Sequence, residues 1–324
     1  MRHVVTMGEV LIDFIPNEKG MGLKGVKGFS KMPGGAPANV AACVAKLGGS
    51  SYFMGMVGKD GFGSFLVDEL IANGVNTSRI IRTSEKNTGL AFVSLTESGE
   101  RDFIFYRDPS ADQLFSKKDV DVEVLEQSIL HFCSVSLKDF PIKEAHLYAI
   151  EEAKKRNAII SYDPNVRLAL WEDHHQYQKV IQSFIPYADV LKVSDDELSF
   201  ITGIDQEDEA IDWLRKQGIR YVIVTRGKEG VSLYSKKGIY DVPGFKVATS
   251  DTTGAGDAWI GAFLSKIALD EIHEGNEREL IPAYLIFANA AAALTTTRYG
   301  AMSALPTLKE IDDFIKKSSM VHLV

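Results

Sequence analysis

Short apolar runs rich in β-branched residues alternate with longer stretches whose apolar residues return every three or four positions, and this alternation recurs along most of the chain. The short runs predict strands: HVVTMGE (3–9), SSYFMGMVG (50–58), ILHFCSV (129–135), AIISYD (158–163), ADVLKVS (188–194) and YVIVTRG (221–227). The longer ones predict helices with one buried face, as in Val40, Cys43, Val44 and Leu47, or Ile260, Phe263, Leu264 and Ile267. Strand followed by helix, repeated, is the pattern of a largely parallel sheet in an α/β fold.

Two segments break the rhythm. Residues 14–31 are rich in glycine and lysine, and LAFVSLTESGERDFIFYRD (90–108) reads as a hairpin turning at Glu97-Ser98-Gly99-Glu100. Together they predict a small β appendage on the main sheet. Two readings fit it equally: a lid that closes over a ligand, or an edge extension or dimer contact. The chain has no internal repeat, low-complexity tract or proline-rich linker, so a single domain over 1–324 is expected, with the appendage attached to it.

Composition narrows the class. A chain of 324 residues can bury a large core, and 45% hydrophobic with 25% charged residues is ordinary for a globular protein. A net charge of -8 disfavours nucleic acid or an anionic membrane as partner. Cys43 and Cys133 lie in apolar surroundings and MRHVVTMG lacks a signal-peptide pattern, which predicts a reduced, cytoplasmic protein. No apolar run reads as long enough to span a bilayer, and no membrane partner is expected.

The chemistry concentrates in DTTGAGDAWIGAF (251–263), where two carboxylates flank a glycine-rich turn that runs into a helix. Small residues let the backbone approach a ligand, and a helix start offers N–H groups and a partial positive charge for a phosphate. Asp257 falls in the first helical turn. It reads either as a helix cap or as a general base beside an anion hole formed by Gly254, Ala255 and Gly256. A Walker-type GxxxxGK[ST] is absent, and VGKDGFG (57–63) lacks the GxGxxG spacing and reads as a strand-to-helix turn.

PGGAPANVAACVAKLG (33–48) repeats the design near the other end. Gly34 and Gly35 precede a helix, and Asn39 on its first turns carries donors and an acceptor suited to sugar hydroxyls. Asp13, in GEVLIDF, could accept from two neighbouring hydroxyls. Taken singly, a structural Gly-Gly turn and a solvated aspartate fit as well.

The pairing of PGGAPANVA with DTTGAGDA, in that order, resembles the two signatures of the ribokinase-type, or PfkB, carbohydrate kinases, and the resemblance covers essentially the whole chain. It implies an α/β/α sandwich with a mainly parallel sheet and a small β lid, with ATP as donor and a sugar hydroxyl as acceptor. Within the family, GEVLIDFIP (8–16), FYRDPSAD (105–112) and SYDPNVRLALW (161–171) are most similar to the fructokinase subgroup.

Position by position, the resemblance implies that Asp257 is the base and that Gly254, Ala255 and Gly256 form the anion hole. It gives Asp13, Gly34, Gly35, Asn39, Arg107 and Arg167 to the sugar, and Lys192, Thr225, Gly227 and Asn289 to the nucleotide. The family's Asn-x-x-Glu, tied to magnesium and phosphate, stands here as Ser194-Asp195-Asp196-Glu197. Glu197 is kept and expected to act on Mg²⁺ through water. A monovalent cation such as K⁺ is a further expectation, at the Asp251 and Thr253 backbone and the loop near Gly300.

The expected reaction is transfer of the γ-phosphate of ATP to the 6-hydroxyl of D-fructose. A 2-keto-3-deoxygluconate kinase on the same scaffold would need Arg107 or Arg167 to pair a carboxylate. A sugar-sensing protein without catalysis is the other alternative, favoured only by Ser194. An NAD-dependent oxidoreductase is disfavoured by the missing fingerprint after the first strand. Apolar residues on both lid faces, such as Phe92, Phe103 and Phe105, lead to the expectation of a homodimer through the lid.

Overall fold

The structure, a computed structural model, describes all residues except 19, 21, 96–100, 271, 273, 274 and 319–324, and describes no side chains at 94, 95 and 101–103. In chain order the strands are β1 (Val4–Met7), β2 (Leu11–Pro16), β3 (Phe29–Gly34), β4 (Ser51–Gly58), β5 (Asn76–Thr83), β6 (Leu90–Leu95), β7 (Arg101–Tyr106), β8 (Ile129–Cys133), β9 (Ile159–Asp163), β10 (Val190–Ser194), β11 (Tyr221–Thr225), β12 (Val231–Tyr234) and β13 (Ile239–Val242). The α-helices are α1 (Ala36–Lys46), α2 (Gly61–Ala72), α3 (Pro141–Lys155), α4 (His174–Phe184), α5 (Asp195–Thr202), α6 (Glu207–Lys216), α7 (Ala255–Leu269), α8 (Glu277–Thr296) and α9 (Leu308–Lys317).

The main sheet runs β13-β12-β11-β10-β9-β8-β1-β4-β5, parallel from β5 to β11 and antiparallel at β12 and β13. All six strands expected from the sequence belong to it. The other three lie toward its ends. Outermost β5, with the sequence NTSRIIRT, is exposed at several positions and lacks the apolar run that marks a central strand.

Central strands alternate their side chains between two cores, as a period of two requires. Val4, Ile129, Val190 and Tyr221 face the layer that includes α1, α2, α7 and α8, while Val5, Leu130, Leu191 and Val222 face α3 to α6. The result is the expected three-layer sandwich. Helix α8 has the length and apolarity of a membrane span, which the sequence reading did not anticipate, yet 61% of its apolar window is buried inside the protein. Its tight seam against α7 accounts for those apolar residues.

A second sheet, β3-β2-β6-β7, forms the appendage. It reaches further along the chain than residues 14–31, because β2 begins at Leu11 and β3 ends at Gly34. The turn expected at 97–100 lies outside the described residues. The sheet is held by an aromatic cluster in which Phe14 stacks on Phe92 at 4.7 Å and Phe29 meets both rings edge-on.

Sheet order reverses at β1, which lies between β8 and β4. Crevices at the carboxyl ends of strands beside such a reversal are the usual ligand sites of open α/β sheets.

Candidate active site

Helix α7 points its amino end into this region. Gly254 caps it in the left-handed conformation (φ 75°), and a methyl there would lie 2.7 Å from Ala301 Cβ, so only glycine fits. Of the three amides expected to form an anion hole, Ala255 N–H turns back to Thr252 O at 3.3 Å. The hole as it stands relies on its glycine neighbours.

Asp257 sits in the first turn of α7 and is buried. Its Oδ2 accepts from Asn39 Nδ2 at 2.8 Å and its Oδ1 from Asn165 Nδ2 at 3.3 Å. Burial pushes its carboxyl up to about 6; the Asn39 bond opposes this, the charge of Asp163 adds to it, and Arg167 and Lys192 pull back. A carboxylate poised there is ionised at neutral pH and still basic enough to take a proton.

Lys192, on β10, is buried and ion-paired with Asp163 at the end of β9, Nζ to Oδ2 at 2.7 Å. Burial alone would depress its pKa, but Asp163, Glu197 and Asp257 more than reverse this and keep it charged. A methyl on Gly256 would lie 3.2 Å from Lys192 Nζ, which puts the ammonium against the first turn of α7. A fixed cation and a helix amino end therefore converge beside the base, an arrangement suited to a phosphate.

Among the residues expected to meet the sugar, β2 and β3 pair Leu11 with Gly34 and Asp13 with Met32. A methyl on Gly34 would fall 2.1 Å from Asp13 Oδ2, and one on Gly35 (φ 106°) would fall 2.5 Å from Glu9 O. Gly34 lets the turn close onto the Asp13 carboxylate, and Gly35 lets it close onto the backbone at Glu9. Asn39 divides its amide: Nδ2 binds Asp257, while buried Oδ1 has no partner. An orphaned buried acceptor costs stability unless a ligand fills it.

The two arginines part company. Arg167 is exposed, donates to Val166 O at 2.9 Å, and its charge reaches Asp257. Arg107 is buried and ion-paired with buried Asp112. It also feels Glu9, which is buried, accepts from Ser136 Oγ at 2.6 Å and Ala36 N at 3.3 Å, and is pushed above the ordinary carboxyl range by burial.

Among the residues expected to meet the nucleotide, Thr225 lies beside Ser194 in the sheet and donates to Val193 O at 3.3 Å, and Gly227 turns with φ 49°. Asn289 accepts from Trp259 Nε1 at 2.7 Å and donates to Pro243 O at 3.0 Å, so its amide is committed to joining α8, α7 and the chain after β13. Glu197 accepts from Val166 N at 2.6 Å and Ser194 N at 3.0 Å, and Ser194 returns the bond as the cap of α5. Serine at this position is thus accounted for by helix capping.

Sequence reasoning passed over Glu9, Asp112, Asp163 and Asn165. Each stands inside a stretch singled out for another residue: Glu9 beside Asp13, Asp112 in FYRDPSAD, Asp163 and Asn165 in SYDPNVR. For Asp112 and Asp163 the one signal available was a carboxylate within a few residues of an arginine; Glu9 and Asn165 carried none.

Among the described residues no three His, Cys, Asp or Glu side chains cluster to hold a metal. Magnesium keeps several waters and leans on substrate phosphates; Glu197 is the acid expected for it, and both of its oxygens already accept backbone N–H groups, which fits contact through water rather than direct ligation. For a monovalent cation, Gly300 N–H donates to Asp251 Oδ2 at 3.0 Å, bringing together the two loops expected to share it.

Residues 1–308 match the family described as pfkB family carbohydrate kinase. Fructokinase-1 of Zea mays is 44% identical over 317 residues, 97% of this chain and 98% of that one. Among solved structures, fructokinase with bound ATP from Xylella fastidiosa superposes with a TM-score of 0.87 at 35% identity, covering 98% of this chain and 99% of that chain. Fructokinase from Vibrio cholerae O395, in a fructose, ADP and calcium ion bound form, gives 0.88 at 34%, covering 97% and 99%. With its two signatures in direct contact through Asn39 and Asp257, the chain belongs to the pfkB family of carbohydrate kinases.

Proposed function

We infer that the protein is a fructokinase that transfers the γ-phosphoryl group of ATP to D-fructose, at the 6-hydroxyl. The observation that carries the site reading is Asn39, whose Nδ2 holds Asp257 while its buried Oδ1 has no partner. A sugar hydroxyl donating to Oδ1 would bring the ring next to Asp257. Asp13, Gly34 and Gly35 frame the same side, and the β2-β3-β6-β7 sheet covers it as a lid.

ATP is the donor, with a divalent metal. Magnesium, when bound, neutralises charge on the β- and γ-phosphates; Glu197 would reach it through water. Asp257 takes the hydroxyl proton as the oxygen attacks the γ-phosphorus in line, the new P–O bond forms, and the bond to the β-phosphate oxygen breaks to release ADP. Lys192 and the amino end of α7 stabilise the charge spread over the transferring group. Thr225 and Gly227 would border the nucleotide, and Asn289 would border adenine by packing alone. A monovalent cation at Asp251 and Gly300 would set the position of the anion hole.

Commitment of Arg107 to Asp112 takes one of the two arginines a keto acid could use and leaves Arg167 as the other, so the neutral sugar rests on the fructokinase relatives. Intact pairing of base and anion site supports an enzyme over a sensor. Edge strand β7 leaves Ile104 and Tyr106 exposed, which supports a homodimer through the lid, and two buried free cysteines fit a reducing cytoplasm.

The test is ADP release with Mg-ATP across fructose, 2-keto-3-deoxygluconate, ribose, glucose and adenosine. Turnover on fructose with product phosphorylated at the 6-position is expected. Turnover confined to the keto acid would overturn the substrate, and silence on all would favour the sensor.

A further inference from the structure

Asp163 ends β9 on the sheet face that meets α1 and α7, and it is buried at 1% exposure. Its Oδ2 holds Lys192 Nζ at 2.7 Å, while its Oδ1 accepts the backbone N–H of Asn165 at 3.1 Å. That second bond shapes the turn in which Asn165 adopts φ 48° and sends its amide to Asp257 Oδ1 at 3.3 Å. One carboxylate therefore fixes both a cation and a hydrogen-bond donor that act on the base. Lys192 has an alternative partner close by, since its Nζ lies against Gly256, the chain neighbour of Asp257, and the charge of Asp257 helps to raise its pKa.

We propose that Asp163 is a positioning residue that holds the Lys192 ammonium at the amino end of α7 and keeps it from pairing with Asp257, leaving the base free to take the sugar proton. The proposal rests on the fructokinase reading for its substrate. Asp163 takes no proton and touches no reacting atom; the proton passes from the sugar hydroxyl to Asp257 alone.

The charge balance around the base favours this role. Asp257 faces Asp163 from β9, Lys192 from β10, Arg167 from the loop after β9, Cys133 from β8 and Cys43 from its own neighbour α1. Burial pushes the Cys43 thiol up to about 12 and Cys133 well above the thiol range, so both stay neutral. The two cations stand against one carboxylate. Without it, two positive charges would face Asp257 and the carboxylate would lose basicity.

The test is the pH profile of kcat/KM for fructose at saturating Mg-ATP, for the wild type, Asp163→Asn and Lys192→Met. Asn at 163 keeps an acceptor for Asn165 N–H but no charge. In Asp163→Asn the acid limb should move down by about one pH unit or more, with turnover at pH 7.5 reduced at least ~10-fold. In Lys192→Met it should move up. Opposite shifts would not follow from a structural role; limbs that stay with the wild type, or move the same way, overturn the proposal. Asp163→Glu retains the charge and should return the limb to within a fraction of a unit of wild type, which covers an Asp163→Asn that fails to fold. The same shifts are read without substrate by ¹³C NMR titration of the Asp257 carboxyl. A wild type inactive on fructose would overturn the substrate reading, and that titration would still decide the role of Asp163.

Discussion

Asn39 and Asp257 lie 218 residues apart in the chain and meet at 2.8 Å, Nδ2 to Oδ2. The contact joins the first helix to the seventh, and the PGGAPANVA stretch to the DTTGAGDA stretch. It also does chemical work, because a donor on Oδ2 favours the ionised base.

Removing that donor should be visible in the pH profile. Asn39→Ala is expected to shift the acid limb of kcat/KM above its wild-type position near pH 6, since the opposing hydrogen bond is lost. The KM for fructose should rise about 10-fold as the open Oδ1 acceptor disappears. Steady-state kinetics from pH 5 to pH 9 would check both; an unmoved limb would separate Asn39 from the base.

Asp257→Asn should lose turnover by ~10² or more while fructose still binds, as measured by rapid quench and calorimetry. The same substitution should stabilise the fold at alkaline pH. The folded carboxyl titrates at about 6 against 3.8 when unfolded, so its contribution is favourable below the lower value and is lost as pH rises through the higher one. At pH 8 the wild type therefore carries a penalty of up to about 3 kcal/mol. Thermal melts should show the variant ahead at pH 8 and level with wild type near pH 3.5.

Gly34→Ala would drive a methyl to 2.1 Å from Asp13 Oδ2. Displacing that carboxylate from the lid root should raise the KM for fructose by roughly 10-fold or more and leave the KM for ATP near wild type. Equal losses for both substrates would mean the damage had spread to the fold.

Asp112→Ala would strand the buried Arg107 charge. A loss of ~3 to 5 kcal/mol is expected in denaturant melts, because one partner of a buried pair is left unbalanced. A change below ~1 kcal/mol would show that water reaches Arg107 and that the pair is not dry.

Much of the fold was legible because its strands are buried on both faces and read as continuous apolar runs, as in ILHFC and YVIVT. Strands β5, β12 and β13 escaped because outer strands carry mixed patterns. The two signatures were legible for a different reason: glycines at 34, 35 and 254 are required by close approach or by positive φ, constraints that local sequence must satisfy.

The sequence by itself determined the parallel α/β class and the two segments of the β appendage, which follow from periodicity and from turns a few residues long, and it carried the two glycine-rich signatures of the family. Tertiary structure alone decided that Asn39 touches Asp257, that Asp163 holds Lys192, and that Arg107 is taken by Asp112 while Arg167 stays exposed. Pairing and burial set the pKa of a carboxylate and the freedom of a cation, and both depend on neighbours that the chain brings together only when it folds.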